Sequence, residues 1–124
     1  MLDQLMGYTV HRAAEFRPST ILFTRENETI TVSMLQEALE HMVSAIAKKN
    51  PVFNQYSIAL KVLRAIQVRL ANGQPRKPSK SDLKTACDVL SEIQKEHAIT
   101  EAQKDRIDAA AFRCKLLIEW TMQD

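Results

Sequence analysis

The sequence predicts a mainly α protein, a small helical bundle of four to five helices with a short N-terminal β-hairpin. Three observations lead there. Apolar residues recur at spacings of three and four over several long stretches, the mark of helices with one buried face. Only 2 Gly and 4 Pro occur, too few for the turns of a sandwich or barrel or for a glycine-built phosphate cradle. β-Branched and aromatic residues gather in a strand-like pattern once, in "STILFTRENETITV".

Taken in order, "LDQLMGYTVHRAAEF" has apolar residues at 2, 5, 6, 10, 13 and 14. That spacing predicts a first helix, ended at Arg17 because the residue before Pro18 is driven out of the α region. Gly7 works against it. Residues 19–32 follow as the hairpin, turning between Arg25 and Glu28. Ser33 with Gln36 three residues on is a capping box. From it Leu35, Leu39, Met42 and Ile46 form a broad apolar stripe that runs to Lys49 and closes at "NP". The next helix, in "NQYSIALKVLRAIQVRLANG", aligns Tyr56, Ala59, Leu63, Ile66 and Leu70, with Asn72-Gly73 as a left-handed cap. Ser79 or Ser81 starts another, with Leu83, Ala86, Cys87, Leu90 and Ile93 inward and its end near His97. Thr100 with Gln103 opens the last, whose stripe runs from Ile107 through Cys114 towards Trp120. A linker of about three residues makes these last two helices an antiparallel hairpin.

At 124 residues, with 45% apolar and 26% charged, the chain is expected to fold as one domain, residues 1–124: an N-terminal helix and hairpin over 1–32 and a bundle over 33–122. No stretch approaches the roughly 20 apolar residues of a membrane span. The segment "MLDQLMG" carries an acid where a secretory signal carries bases, so a cytoplasmic location is expected. Cys87 and Cys114 sit among apolar residues and are expected as buried thiols. Antiparallel pairing sets position 87 opposite about position 110, one turn short of Cys114, so a disulfide is feasible but not expected.

Catalytic motifs are lacking. Gly7 and Gly73 stand alone, and there is no Gly-x-Ser-x-Gly, Cys-x-x-Cys or His-Glu-x-x-His. His11 with Glu15 and Glu37 with His41 are each four apart, a spacing that serves a metal ion or an ordinary surface pair. His97 at a helix end serves as a cap. Asp88, Glu92 and Glu96, then Glu101, Asp105 and Asp108, form acidic rows, but Lys84, Lys95, Lys104 and Arg106 are interleaved and oppose a cation. No metal, cofactor or enzymatic activity is expected. Met34 and Met42 fall on or beside the core stripe, while Phe53 and Tyr56 raise an adaptable binding surface as an alternative.

Charge is the more informative signal. Residues 61–84 hold Lys61, Arg64, Arg69, Arg76, Lys77, Lys80 and Lys84 against Asp82 alone, a local net of +6; residues 85–108 have a local net of −3. A segment of this kind suits an acidic partner or a phosphate backbone. At about 100° per residue, Lys61, Arg64 and Arg69 point near 0°, 300° and 80° and so flank the apolar stripe rather than form one row. Aromatics for base stacking are missing between 57 and 111. The expected function is therefore protein–protein binding by a non-enzymatic helical protein, an adaptor, inhibitor, chaperone or assembly component, with self-association as a further option. The alternative is a nucleic-acid-binding accessory factor using Arg64, Arg69, Arg76, Lys77, Lys80 and Lys84. The open question is whether those cations stay in solvent or meet Asp88, Glu92 or Asp105.

Overall fold

A computed structural model describes residues 4–72, 77–96 and 100–123. Strands β1 (Gln4–Leu5), β2 (Tyr8–Val10), β3 (Ile21–Arg25) and β4 (Glu28–Thr31) precede helices α1 (Val32–Ala47), α2 (Gln55–Asn72), α3 (Lys80–Glu96) and α4 (Glu101–Met122). The strands form one antiparallel sheet in the order β1-β2-β3-β4. The protein is thus mainly helical with an N-terminal antiparallel sheet, and the described residues contain four helices.

The first predicted helix is absent, replaced by β1 and β2. Met6 and Gly7 both take positive φ, 52° and 86°, which is the backbone of a tight two-residue hairpin and incompatible with a continuing helix. A Cβ added at Gly7 would make only ordinary contact with the Arg25 side chain, at 3.8 Å; its backbone angle, not crowding, is what calls for glycine. Of the apolar residues whose spacing mimicked a helix, Leu5 is buried on the sheet, Val10 and Ala13 are partly buried and Met6 is exposed.

α1 starts two residues earlier than the capping box suggests. Thr31 is its N-cap, with extended backbone and a side chain that accepts from the Met34 amide. Two further amides at the start of α1 are satisfied by backbone carbonyls of the preceding connector. Val32 N donates to the Thr20 carbonyl at 2.9 Å and Ser33 N to the Pro18 carbonyl at 3.0 Å, so the connector before β3 caps the helix. The other starts are side-chain caps. Asn54 Oδ1 accepts from Tyr56 and Ser57, Ser79 Oγ from Asp82 N at 3.1 Å, and Thr100 Oγ1 from Gln103 N at 3.1 Å. Of the two serines considered for α3, Ser79 holds the position.

The helices form a ring in which α1 and α3 each lie against both α2 and α4. Tyr56 at the start of α2 bonds Glu92 near the end of α3, and Gln94 of α3 meets Asp108 of α4, so these neighbours run antiparallel. The interior is built from the predicted stripes, among them Leu35, Leu39, Leu63, Ile66, Leu90 and Leu117, all fully buried. At about 1.5–3 kcal/mol for each large apolar side chain removed from water, such stripes dominate the stability. The same apolar cluster continues into the sheet through Tyr8, Leu22, Phe23 and Ile30. Rings make the join: Tyr8 lies 5.9 Å from Phe112, while Trp120 takes Phe16 at 5.9 Å and Phe23 at 6.4 Å edge-on.

The register of α3 against α4 differs from the symmetric hairpin. Lys115 Nζ donates to Ser91 Oγ at 2.9 Å and Gln94 Oε1 at 3.0 Å. Cys87 accordingly lies near Lys115 and Glu119 rather than position 110. Residues 101–106 are all exposed, so α4 overruns the end of α3 and the pairing slides along it. Both cysteines are free thiols, Cys114 buried and Cys87 partly so.

Candidate functional site

α2 carries its core residues on one face and turns Lys61, Arg64 and Val68 outward, all exposed, with Ala65 between them. Against this face comes the chain entering α3. Lys61, Val62, Ala65 and Val68 from α2 and Lys77, Pro78, Ser79 and Asp82 from the connector and first turn of α3 line an open groove of about 640 Å³. Its floor is apolar, with Val68 47% exposed, and a lysine stands on each lip. The local sequence explains the shape. Ala65 leaves a depression in the helix surface, Pro78 brings an apolar ring without an amide to satisfy, and the Ser79 cap fixes where α3 begins.

The six candidate cations divide in the fold. Arg64, Lys77, Lys80 and Lys84 are exposed, and Arg76 lies outside the described residues. Arg69 is different. Its guanidinium sits 3.9 Å above the Trp120 ring, and burial pulls its pKa down, so it belongs to the aromatic join rather than to the outer face. Among the described residues no ion pair involves Lys61, Arg64, Lys80 or Lys84.

Three nearby acids are engaged with other partners. Glu92 accepts the Tyr56 hydroxyl at 2.7 Å, and that hydrogen bond, ahead of burial, pushes the Tyr56 pKa up to about 12. Glu96 pairs with Lys49, and Asp108 accepts from Gln94 at 3.0 Å. These contacts tie helix ends together. None of them reaches the basic segment.

The histidine pairs resolve separately. His11 lies beyond β2 instead of on a helix, and its Nε2 is 2.7 Å from Thr24 Oγ1, while Glu15 pairs with Arg17 at 2.9 Å. Glu37 and His41 do share a face of α1, and α4 lays Arg106 and Arg113 beside them along a shallow groove of about 220 Å³. Cations at that position oppose a metal ion, and no cluster of three or more metal-ligating side chains occurs among the described residues. His97 lies outside the described residues. Burial raises the thiol pKa of Cys114, and of Cys87 with help from Glu119, which removes thiolate character from both. No described helix is long and apolar enough to cross a membrane.

Two features escaped the sequence reading. The apolar floor of the groove depends on Val68 and Pro78, ten residues apart, meeting in space. The approach of Arg106 and Arg113 to His41 depends on the packing of α4 against α1. No protein-family model, no curated protein and no solved structure matches this chain.

Proposed function

We propose that the protein is a non-enzymatic helical binding module that acts in the cytoplasm by holding an acidic segment of another protein in the groove between α2 and the start of α3. One observation carries this: an apolar floor of Val62, Ala65, Val68 and Pro78 is flanked by Lys61 and Lys77, with Asp82 as the single acid in the lining. An apolar strip with cationic edges complements an amphipathic segment that has carboxylates beside its apolar residues, because burial supplies affinity and charge supplies register. A bare phosphate backbone would use the lysines and leave the floor wet. The two free thiols fit a reducing compartment.

Nucleic-acid binding is the second reading, favoured by the exposed Arg64, Lys80 and Lys84 beside the groove. The two are separated by affinity capture from nuclease-treated native lysate with wild-type protein and with a Lys61→Glu/Lys77→Glu variant. A protein retained by the wild type and lost with the variant is the expected result. Recovery of nucleic acid alone without nuclease, together with a low-salt mobility shift, would transfer the surface to the second reading.

A further inference from the structure

On the side of the helix ring opposite the α2–α3 groove lies the seam between α1 and α4. There His41, Ser44, Ala45 and Lys48 of α1 face Gln103, Arg106 and Ile107 of α4 around an open pocket of about 360 Å³. The shallower groove that adds Glu37 and Arg113 shares His41 and Arg106 with it, so the two are continuous along the seam. Residues 37, 41, 44 and 48 follow each other at four, three and four, and residues 103, 106, 110 and 113 at three, four and three. Each set is therefore one face of its helix. Ala38, Ala45 and Ala110 put small side chains between the two faces and leave the seam open.

Other helix contacts in the bundle close with complementary partners. Lys49 meets Glu96, Tyr56 bonds Glu92 and Gln94 bonds Asp108. At this seam Lys48 comes from one helix and Arg106 from the other, and the pocket they share has no acid in its lining. Glu37 is the single acid of the continuation, 11 residues from Lys48 in sequence and so about 16 Å along α1. Glu40 on α1 and Glu101, Asp105 and Asp108 on α4 belong to neither lining. With the histidine neutral, three cations stand against one acid, a net of +2. Among the described residues no hydrogen bond or ion pair involves the side chain of Lys48, Arg106 or Arg113. A seam that served the fold alone would set a carboxylate opposite Arg106. Like charges from both helices instead oppose each other until an anion sits between them.

We propose that the α1–α4 seam binds a phosphate group, free or as the monoester of a small molecule, between Lys48 and Arg106. The guanidinium presents a planar fork of N–H donors that matches two phosphate oxygens, and the lysine adds a point charge. Ser44, Gln103 and His41 bring neutral donors to the same space. Size selects a small ligand over a chain. Residues 41–48 cover about 10 Å of helix axis, and about 360 Å³ falls at the lower end of small-molecule pockets, roughly 300–1,000 Å³. A nucleic-acid backbone needs cations repeated over a longer track, and this one is interrupted by Glu37. The site is separate from the α2–α3 groove and does not rest on the reading of it.

The test is an NMR titration of the full chain at constant ionic strength with inorganic phosphate, glycerol 3-phosphate, AMP and acetate. Saturable amide shifts at Ser44, Lys48, Gln103 and Arg106 are expected with the phosphate probes and none with acetate. Affinity should fall at least about tenfold in Lys48→Gln/Arg106→Gln and be unchanged in Arg64→Gln, whose side chain is exposed on another face. All three changed side chains are exposed, and circular dichroism checks that each variant keeps its helices. Tighter binding of glycerol 3-phosphate or AMP than of inorganic phosphate upholds the site and assigns it to an ester; equal binding upholds it for free phosphate. Shifts that do not saturate, that acetate reproduces, or that Arg64→Gln weakens as much as the double variant would reduce the seam to diffuse charge screening and overturn the proposal. So would silence with every phosphate probe at millimolar concentration, or Arg106-dependent binding confined to an RNA oligomer or a phosphopeptide.

Discussion

The two ends of α2 treat aromatic side chains in opposite ways. Near its C-terminal end Arg69 covers Trp120, which also receives Phe16 and Phe23, so sheet and bundle are joined through one indole. Just before its N-terminal end Phe53 lies wholly in solvent on a left-handed backbone. The first arrangement removes apolar surface from water and stabilises the fold. The second costs stability on both counts. The difference separates residues that hold the molecule together from residues that it displays.

That division can be broken most readily at Trp120. Trp120→Ala should cost about 3 kcal/mol in urea unfolding followed by circular dichroism, since it empties the space between Phe16, Phe23 and Arg69. A loss below about 1 kcal/mol would mean that the aromatic join is not a main support.

A smaller effect tests the split between neighbouring arginines. Arg69→Ala should cost about 1–2 kcal/mol, through the stacked guanidinium and its buried stem, and Arg64→Ala within about 0.5 kcal/mol. Equal costs would erase the distinction between the two residues.

Titration examines the bracing near Phe53. The chain has 2 tyrosines, and both are shifted upward: Tyr56 to about 12, chiefly by its hydrogen bond to Glu92, and Tyr8 by burial and then by its bond to Glu28. Glu92→Gln should bring Tyr56 back towards its ordinary 10.0, visible as tyrosinate absorbance appearing at lower pH. For Tyr8 the folded pKa lies above the unfolded value of 10.0. The protonated phenol is thus the form the fold prefers, and its contribution is complete below pH 10 and lost as pH rises through the folded pKa. Urea midpoints measured from pH 9 upward should decline for the wild type, and less steeply for Tyr8→Phe.

The smallest expected effect is at Phe53 itself. Phe53→Ala should change stability by less than about 0.5 kcal/mol, and Phe53→Asn should raise it by a few tenths because Asn accepts positive φ. A thermal melt that drops by many degrees for Phe53→Ala would place this side chain among the supports instead.

Much of the bundle was legible because its determinants are local. Thr100 with Gln103 and Ser79 with Asp82 are caps between near neighbours, and stripes such as Leu35-Leu39-Met42-Ile46 repeat within one helix. The first strands were not legible in the same way. Six apolar residues between Leu2 and Ala14 fit a helical period, and only the left-handed pair Met6-Gly7 reveals a hairpin. The start of α1 was misplaced because its first amides are satisfied by Pro18 and Thr20, carbonyls that no capping pattern includes. In the candidate site, the charge of residues 61–84 was evident, but its partition was not. Arg69 and Arg64 look alike until Trp120 arrives from α4.

Sequence alone determined the helical class, four amphipathic helices with the caps of the last two, free thiols in apolar surroundings and a strongly basic stretch from α2 into α3. Each depends on residues within a few turns of one another. Only the tertiary structure decided which cations remain outside, that Val68 and Pro78 share a groove floor, and that Trp120 joins Phe16 and Phe23 of the N-terminal half to Arg69 of α2. Those outcomes depend on helix register and on which helices are neighbours, and both follow from packing the whole core at once rather than from the periodicity of any one segment.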